Sequence, residues 1–472
     1  MTGSFVATRR RAAAMLSDSL HRNSLLLIAN SLLQGALGFA FWAVATRMYG
    51  SGDVGIVLAF VGACSLASAA ATMGLPNTVM RFRNYEADTG GFVGMAFVVV
   101  AVAATVLTLL WYVIPGHAGL RFPHGTDDAG ALVVVWVAVL MSSLSTIGDT
   151  FMIAQRATGQ LLAKNGIGCA LRLGALPVLV VFHGTGLLVA VTFGSTVTTL
   201  LTVAVVAREL GGVARLLPTR SGIRSMRSKT SFALWNHLAT LVALLPSTTT
   251  PAIAVVLLGE HGAAYVAIPL LLVTMLNLIP GMTAQAMFAE AGVEGASLSH
   301  LVGRAIRATY VLLAPAATIV FAFAPLILSV FGSQYAAHST AALRFMTTGA
   351  LIAGFNYVAD VGIVAAGRVR SYVMVNVVGT VLVVVAVTAG MSFGVTGVGV
   401  GWLMGQVGYA VVAAVGLRGR PLHRPRAGTL SRARPTHTDG DGERHQPSVA
   451  TGPSPVNETE DGLVAFHGVG RR

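Results

Sequence analysis

Charge is scarce in this chain: Asp, Glu, Lys and Arg make up 10% of its 472 residues, against roughly 25% in a soluble domain. That shortage excludes a water-soluble globular protein. Cysteine is scarcer. Cys64 and Cys169, the two present, both fall inside apolar stretches, which leaves no disulfide framework and no Cys-based metal site to expect. No GxxxxGK[ST] phosphate loop occurs, so ATP hydrolysis of that kind is excluded. No outer loop exceeds about 16 residues, which leaves no room for a folded external catalytic domain. No enzyme activity and no cofactor are expected. Asp127-Asp128, the acid pair on which a membrane glycosyltransferase reading would rest, lies beside Gly125 and Gly130 and reads as a solvated turn.

What fills the chain is hydrocarbon. Apolar residues account for 54% of it, and the mean hydropathy is +0.74. Apolar stretches stand at 24–46, 54–75, 91–115, 129–153, 165–183, 186–207, 232–258, 263–287, 309–332, 340–366, 371–390 and 397–417. A bilayer core of about 30 Å takes roughly 20 helical residues to cross, and a helix satisfies its own backbone hydrogen bonds in lipid. The expected fold is an all-α integral membrane protein of about twelve transmembrane helices. Of the 31 Lys and Arg residues, Arg47, Arg121, Arg172 and Arg344 alone fall outside the termini and alternate loops. Cation-rich short loops stay cytoplasmic, which places both termini in the cytoplasm. The same distribution accounts for the net charge of +13 without a nucleic-acid partner. Polar residues 17–23 separate Arg9, Arg10 and Arg11 from the first apolar stretch, so that stretch reads as an uncleaved span.

The basic connection 208–231 divides the chain. Its organisation is a cytoplasmic N-terminal segment (1–23), a six-helix bundle (24–207), the basic linker (208–231), a second six-helix bundle (232–417) and a disordered cytoplasmic tail (418–472), whose composition cannot bury enough surface to fold. The basic part of the tail, 418–434, suits anionic lipid head groups. A tandem duplication is suggested at an offset of 211, where Asp149 aligns with Asp360, Ala154 with Ala365, Asn165 with Asn376 and Gly168 with Gly379. Two halves of the same orientation are the parallel repeat that many transporters use to place a substrate site at their interface. The stretch 290–307, polar and then amphipathic, reads as an interfacial helix.

Several motifs carry a family resemblance. The first span contains LGF and ends in RMYG followed by DVG; the second ends in MGLPNTVMRF; the second half opens with LGEHGAAYVAIPLLLVTMLNLIPG, and SVFGSQYAAHSTAALRFM follows later. Over about 23–417 the chain resembles the polysaccharide-biosynthesis flippases of the multidrug/oligosaccharidyl-lipid/polysaccharide exporter superfamily. That resemblance implies two six-helix bundles around a V-shaped cavity open alternately to each face. It implies a cargo of undecaprenyl-pyrophosphate-linked sugar, carried from the inner to the outer leaflet of a bacterial cell membrane. A polysaccharide polymerase and glycosyltransferases are the partners such cargo implies. A multidrug or metabolite antiporter of the same superfamily is the alternative, and it requires an aromatic-lined pocket with a well-placed carboxylate.

Charge at the centre of a bilayer costs about 2.5–3.5 kcal/mol and is tolerated chiefly when paired or facing water. Arg172, about two turns into the fifth span, is the candidate for the pyrophosphate, which the guanidinium fork matches; snorkelling or a pair with Asp149 is the other reading. Asp149 and Asp360, at equivalent positions of the halves, are candidates for a coupling proton or cation, or for structural ion pairs. Arg47 and Arg344, at outer span ends, either bind cargo or snorkel to the interface. Asn30, Gln34, Asn236 and His237 offer hydrogen bonds to sugar hydroxyls or between helices. Gly35 and Gly38 in the first span, and PSTTTP from Pro246 to Pro251 in the seventh, mark breaks in corresponding helices and hence a gating pair.

Overall fold

A computed structural model describes residues 19–82, 88–113, 128–291 and 298–418, and every regular element among them is helical. In order these are α1 (Ser19–Met48), α2 (Ser51–Thr72), short α3 (Leu75–Phe82), α4 (Thr89–Val113), α5 (Asp128–Ala154), α6 (Thr158–Leu179) and α7 (His183–Leu210). The second half holds α8 (Arg220–Leu276), α9 (Leu278–Ala291), α10 (Leu298–Ala322), short α11 (Ala324–Ser329), α12 (Ser333–Ala365), α13 (Val369–Met391) and α14 (Gly394–Arg418). Residues 1–18, Arg121, Asp127 and the tail after 418 lie outside the described residues, as does the side chain of Asn236.

Among the described residues ten stretches are long and apolar enough to cross a membrane, and the chain is a multi-pass membrane protein. Two of the ten, 158–210 with 53 residues and 240–287 with 48, are at about 1.5 Å per residue more than twice the roughly 30 Å that one crossing takes. Each contains a break in the helical backbone, at His183 (φ 49°) and Gly259 (φ 75°). Large apolar side chains such as Leu110, Val178 and Val385 face outward, as hydrocarbon solvent allows. Many hydroxyls inside the spans are turned back onto their own helix: Thr105 donates to the Ala101 carbonyl at 2.9 Å and Thr318 to that of Ala314 at 2.8 Å, which meets these donors without water.

Two sequence expectations are corrected here. The PSTTTP segment does not interrupt its helix; α8 stays helical through Pro246 and Pro251, and its one non-helical residue is Gly259. The reason is local satisfaction. Thr248, Thr249 and Thr250 donate to the carbonyls of Leu244, Leu245 and Pro246. The Val242 carbonyl, which Pro246 cannot serve for want of an N–H, accepts from the Thr380 hydroxyl of α13 at 3.2 Å. Helix α1 likewise runs unbroken past Gly35 and Gly38. The stretch 290–307 is no separate interfacial helix among its described residues, since Glu290 lies in the last turn of α9, residues from Leu298 onward open α10, and Glu290 pairs with Arg304.

The repeat is visible in the backbone. Helices α5 and α12 end at Ala154 and Ala365, α6 and α13 begin at Thr158 and Val369, and α7 and α14 begin at His183 and Gly394, each pair 211 residues apart. Left-handed turn residues recur at the same offset, Arg156 with Gly367 and His183 with Gly394. One hydrophobic core joins the halves, with Phe41, Phe60 and Leu187 on one side and Phe331, Tyr335 and Trp402 on the other. Along the α2/α8 seam the backbones nearly touch, and a Cβ at Gly62 would collide with the Thr248 carbonyl oxygen.

One carboxylate ties the connection between the halves to the start of α4. Asp88 accepts from the Gly91 N–H at 2.9 Å, capping α4, and from the hydroxyls of Thr219 at 2.5 Å and Ser221 at 2.9 Å. Thr219 in turn caps α8 by accepting from the Gly222 N–H. These bonds, that from Thr219 foremost, hold the Asp88 carboxyl below its ordinary pKa. A depressed folded value means the contribution is present above the unfolded pKa of about 3.9 and is lost as pH falls through the lower folded value. Asp88→Ala is expected to cost about 1 kcal/mol at neutral pH. Melting curves of wild type and variant should converge as pH falls through the lowered folded value; a gap undiminished under acid conditions that protonate Asp88 would contradict the cap.

Candidate functional site

Polar side chains in a membrane bundle need partners, and here they gather around two cavities, each walled by one half alone. The first, about 330 Å³, lies among α1, α2, α5, α6 and α7. Asp149 of α5 meets Lys164 of α6 at 2.7 Å and accepts from the Ser145 hydroxyl at 3.4 Å. Lys164 Nζ also donates to Asn165 Oδ1 at 2.9 Å, and Asn165 Nδ2 donates to Asn30 Oδ1 at 3.0 Å. This chain of bonds ties α5, α6 and α1 together. Further along α6, Arg172 places its guanidinium carbon 4.5 Å from the centre of the Phe41 ring, a cation–π contact, and its buried Nε has no hydrogen-bond partner. Gln34 and several hydroxyls, among them Ser142, Thr146 and Ser195, complete the wall.

The second cavity, about 220 Å³, is lined from α8, α9, α12, α13 and α14. Ten of its sixteen lining residues stand 211 positions after a residue lining the first, so the two cavities are equivalent sites of the repeat. Their chemistry has diverged. Asp149 corresponds to Asp360 and Asn165 to Asn376, but the counterparts of Lys164 and Arg172 are Val375 and Val383. Where the first cavity has Thr146, Val191 and Thr198, the second has Tyr357, Trp402 and Tyr409. Asp360 accepts from the Tyr409 hydroxyl at 2.7 Å, and among the described residues no cation lines its cavity. With all side chains ionised the lining of the first cavity carries one positive charge, on Arg172, and one negative, on Asp149, which the buried Lys164 pairs from behind; the lining of the second carries one negative charge.

Both cavities hold buried polar atoms without protein partners: Arg172 Nε in the first, and Asn277 Oδ1, Asn356 Oδ1, Asp360 Oδ1 and Trp402 Nε1 in the second. An unmet buried group costs about 1–3 kcal/mol, so these atoms are positioned for water or cargo.

The structure brings Arg172, Asn30, Gln34 and Asp149 together and puts Asp360 in the equivalent place. Other candidates stand elsewhere. Arg47 donates to the carbonyls of Val330 at 2.7 Å and Ser329 at 3.2 Å, across the halves and outside both cavities. Nearby, Ser51 Oγ and His261 Nδ1 lie 2.7 Å apart across the same boundary. Arg344 donates to the Phe321 carbonyl at 3.3 Å and lies over that ring. His237 packs into the α2/α8 seam against the Ala69 and Ala70 carbonyls. The partner of Asp149 is Lys164 rather than Arg172, and Asp360 makes no ion pair among the described residues. Lys164 was counted as a loop residue, yet it is 3% exposed inside α6, which starts at Thr158. The signal for it was the offset of 211, which sets Lys164 opposite a valine of a span.

No protein-family model matches this chain, and no curated protein matches it by sequence. Solved structures do match in fold. The lipid II flippase MurJ in an inward closed conformation aligns with a TM-score of 0.63 at 9% identity, over 84% of this chain and 87% of that one. A multidrug resistance MATE family transporter in an outward-facing conformation aligns at 0.56 and 16%, over 84% and 94%. A MOP superfamily transporter from Pyrococcus furiosus aligns at 0.54 and 14%, over 86% and 93%. The chain therefore has a helical fold similar to that of the MATE structures and of the lipid II flippase MurJ.

Proposed function

We propose that the chain carries a lipid-linked oligosaccharide, a polysaccharide precursor on a pyrophosphate-bearing polyisoprenyl carrier, from the inner to the outer leaflet of a bacterial cell membrane by alternating access. The observation that carries this reading is Arg172: a half-buried side chain whose buried Nε is unmet, in a cavity whose charge is otherwise balanced by the Asp149–Lys164 pair. A pyrophosphate supplies the missing acceptor, and the surrounding hydroxyls and Gln34 suit sugar. The similar structures include one named as a lipid II flippase.

Twelve crossings follow if each of the two long stretches is divided at its break, near His183 and at Gly259. An even count puts both termini on one side, and the basic loops make that side cytoplasmic. Arg47 and the Ser51–His261 contact then tie the halves at the outer face, so that cargo enters from the inner leaflet, with Gly35, Gly38, Pro246 and Pro251 in the helices that flex to open it. Glycosyltransferases that build the cargo and a polymerase that consumes it are the partners of such a step.

Asp360 is the residue for a coupling proton or cation, because its cavity supplies no positive side chain. Asp360→Asn is expected to slow gradient-driven transport in proteoliposomes about tenfold while leaving binding of a pyrophosphate-linked lipid unchanged. Equal loss of binding and transport would contradict that assignment. The same cavity favours the alternative of a multidrug or metabolite antiporter, since Tyr357, Trp402 and Tyr409 around a carboxylate suit an aromatic cation. Gradient-driven export of ethidium that is abolished by Asp360→Asn and untouched by Arg172→Ala would establish that alternative.

A further inference from the structure

A third cavity has a different character. It has a volume of about 250 Å³ and is open on one side, between α2, α4 and α5, walled by Phe60 and Ala67 of α2, Leu107 and Trp111 of α4, and Val135 and Val139 of α5. The Phe60 and Trp111 rings meet edge to face at 5.8 Å. Its lining holds no charged residue and a single hydroxyl, that of Thr108, which is spent on the Ala104 carbonyl at 2.9 Å. Water occupies a buried space only where it finds two to four polar partners, and apolar cavities stay dry. Left empty, the wall forfeits dispersion contacts. The chemistry therefore selects hydrocarbon.

Cys64 identifies which hydrocarbon. It lines this cavity and the first polar cavity alike, so an apolar chamber shares a wall with the one that holds Arg172. Free lipid gains no hydrophobic free energy by leaving a bilayer for an apolar pocket. A chain tethered to a head group already bound next door has a high effective concentration there. Beyond Leu107 and Trp111, the neighbouring Leu109, Leu110 and Val113 of α4 face outward, and the rest of a long chain continues there into the bilayer.

We infer that the α2/α4/α5 cavity seats the first segment of the cargo's polyisoprenyl chain while its pyrophosphate lies against Arg172. This deepens the proposed function and rests on it for the position of the head group.

The test uses the full chain in proteoliposomes with two photoreactive lipids at equal mole fraction. One is a polyisoprenyl pyrophosphate sugar with a diazirine on its chain near the pyrophosphate; the other is phosphatidylglycerol with a diazirine on an acyl chain. The isoprenyl probe is expected to label residues 60–70 and 107–111. Ala67→Phe, which fills the cavity, should lower that labelling about tenfold, and Arg172→Ala should lower it similarly without changing phospholipid labelling. Val135→Phe, on the facing helix, repeats the test if Ala67→Phe fails to fold. Equal labelling by both lipids, indifferent to Arg172→Ala, would assign the cavity to bulk lipid and overturn the inference. Labelling unmoved by the filling substitutions would overturn it too. A wild type that flips the probe in either case leaves the transport reading standing; a wild type that never flips it removes that reading separately.

Discussion

Replacing Lys164 by methionine is expected to destabilise the protein by about 2–3 kcal/mol. Lys164 is 3% exposed and holds Asp149 at 2.7 Å, while the Asp149 side chain keeps 29% of its surface open toward the cavity. Removing one partner of a fully buried ion pair costs about 3–5 kcal/mol, because the other charge is left uncompensated; the partial exposure of Asp149 brings the figure below that range. Asn165 also loses the donor that orients its amide toward Asn30, so the α1/α6 contact weakens with the pair. The double variant Lys164→Met, Asp149→Leu should recover to within about 1 kcal/mol of wild type, since apolar replacement of a whole buried pair is often neutral. Melting in lipid nanodiscs measures both. A double variant no better than the single one would show that Asp149 does more than balance Lys164.

The pair also marks where sequence reasoning stopped. Apolar length and the alternation of basic loops made the helical membrane fold legible, and Asp149, Asp360, Asn165 and Asn376 gave the repeat its register. Those four residues line the two cavities, so a faint internal match pointed at the site. Lys164 is hard to find from sequence because the apolar run begins after it, at Asn165. A cation at the start of a span looks like a loop residue until its partner on another helix is known, and contacts between helices leave no periodic trace in sequence. The same limit applies to Arg47, whose acceptors at Ser329 and Val330 are more than 280 residues away. PSTTTP suggested a broken helix because two prolines remove two donors; the hydroxyl of Thr380, supplied from α13, is a tertiary remedy. A site at the interface of the halves was expected from the repeat; the two repeat-related cavities each lie within one half.

Arg172→Ala is expected to move stability and transport in opposite directions. The side chain is half-buried, with its Nε buried and unmet and the Phe41 face as its neighbour, so the resting protein bears a desolvation cost at that atom that no bond repays. Removing the side chain should leave the melting point unchanged or raise it. Transport loses a charge-assisted bond to pyrophosphate of about 1.5–3 kcal/mol, a fall of about tenfold to a hundredfold. Arg172→Lys should recover only part of the rate, since an ammonium keeps the charge and lacks the bidentate fork. A variant that both melts early and transports poorly would make Arg172 a packing residue.

The central claim is that the first cavity receives a pyrophosphate-linked lipid and passes it across the bilayer. The purified chain in proteoliposomes, loaded in one leaflet with a fluorescent polyisoprenyl pyrophosphate sugar and quenched from outside by a membrane-impermeant reductant, gives the most direct measurement. The account predicts protein-dependent loss of protected fluorescence that Arg172→Ala slows at least about tenfold. Protected fluorescence equal to that of protein-free vesicles, from a sample shown to be folded, would contradict it.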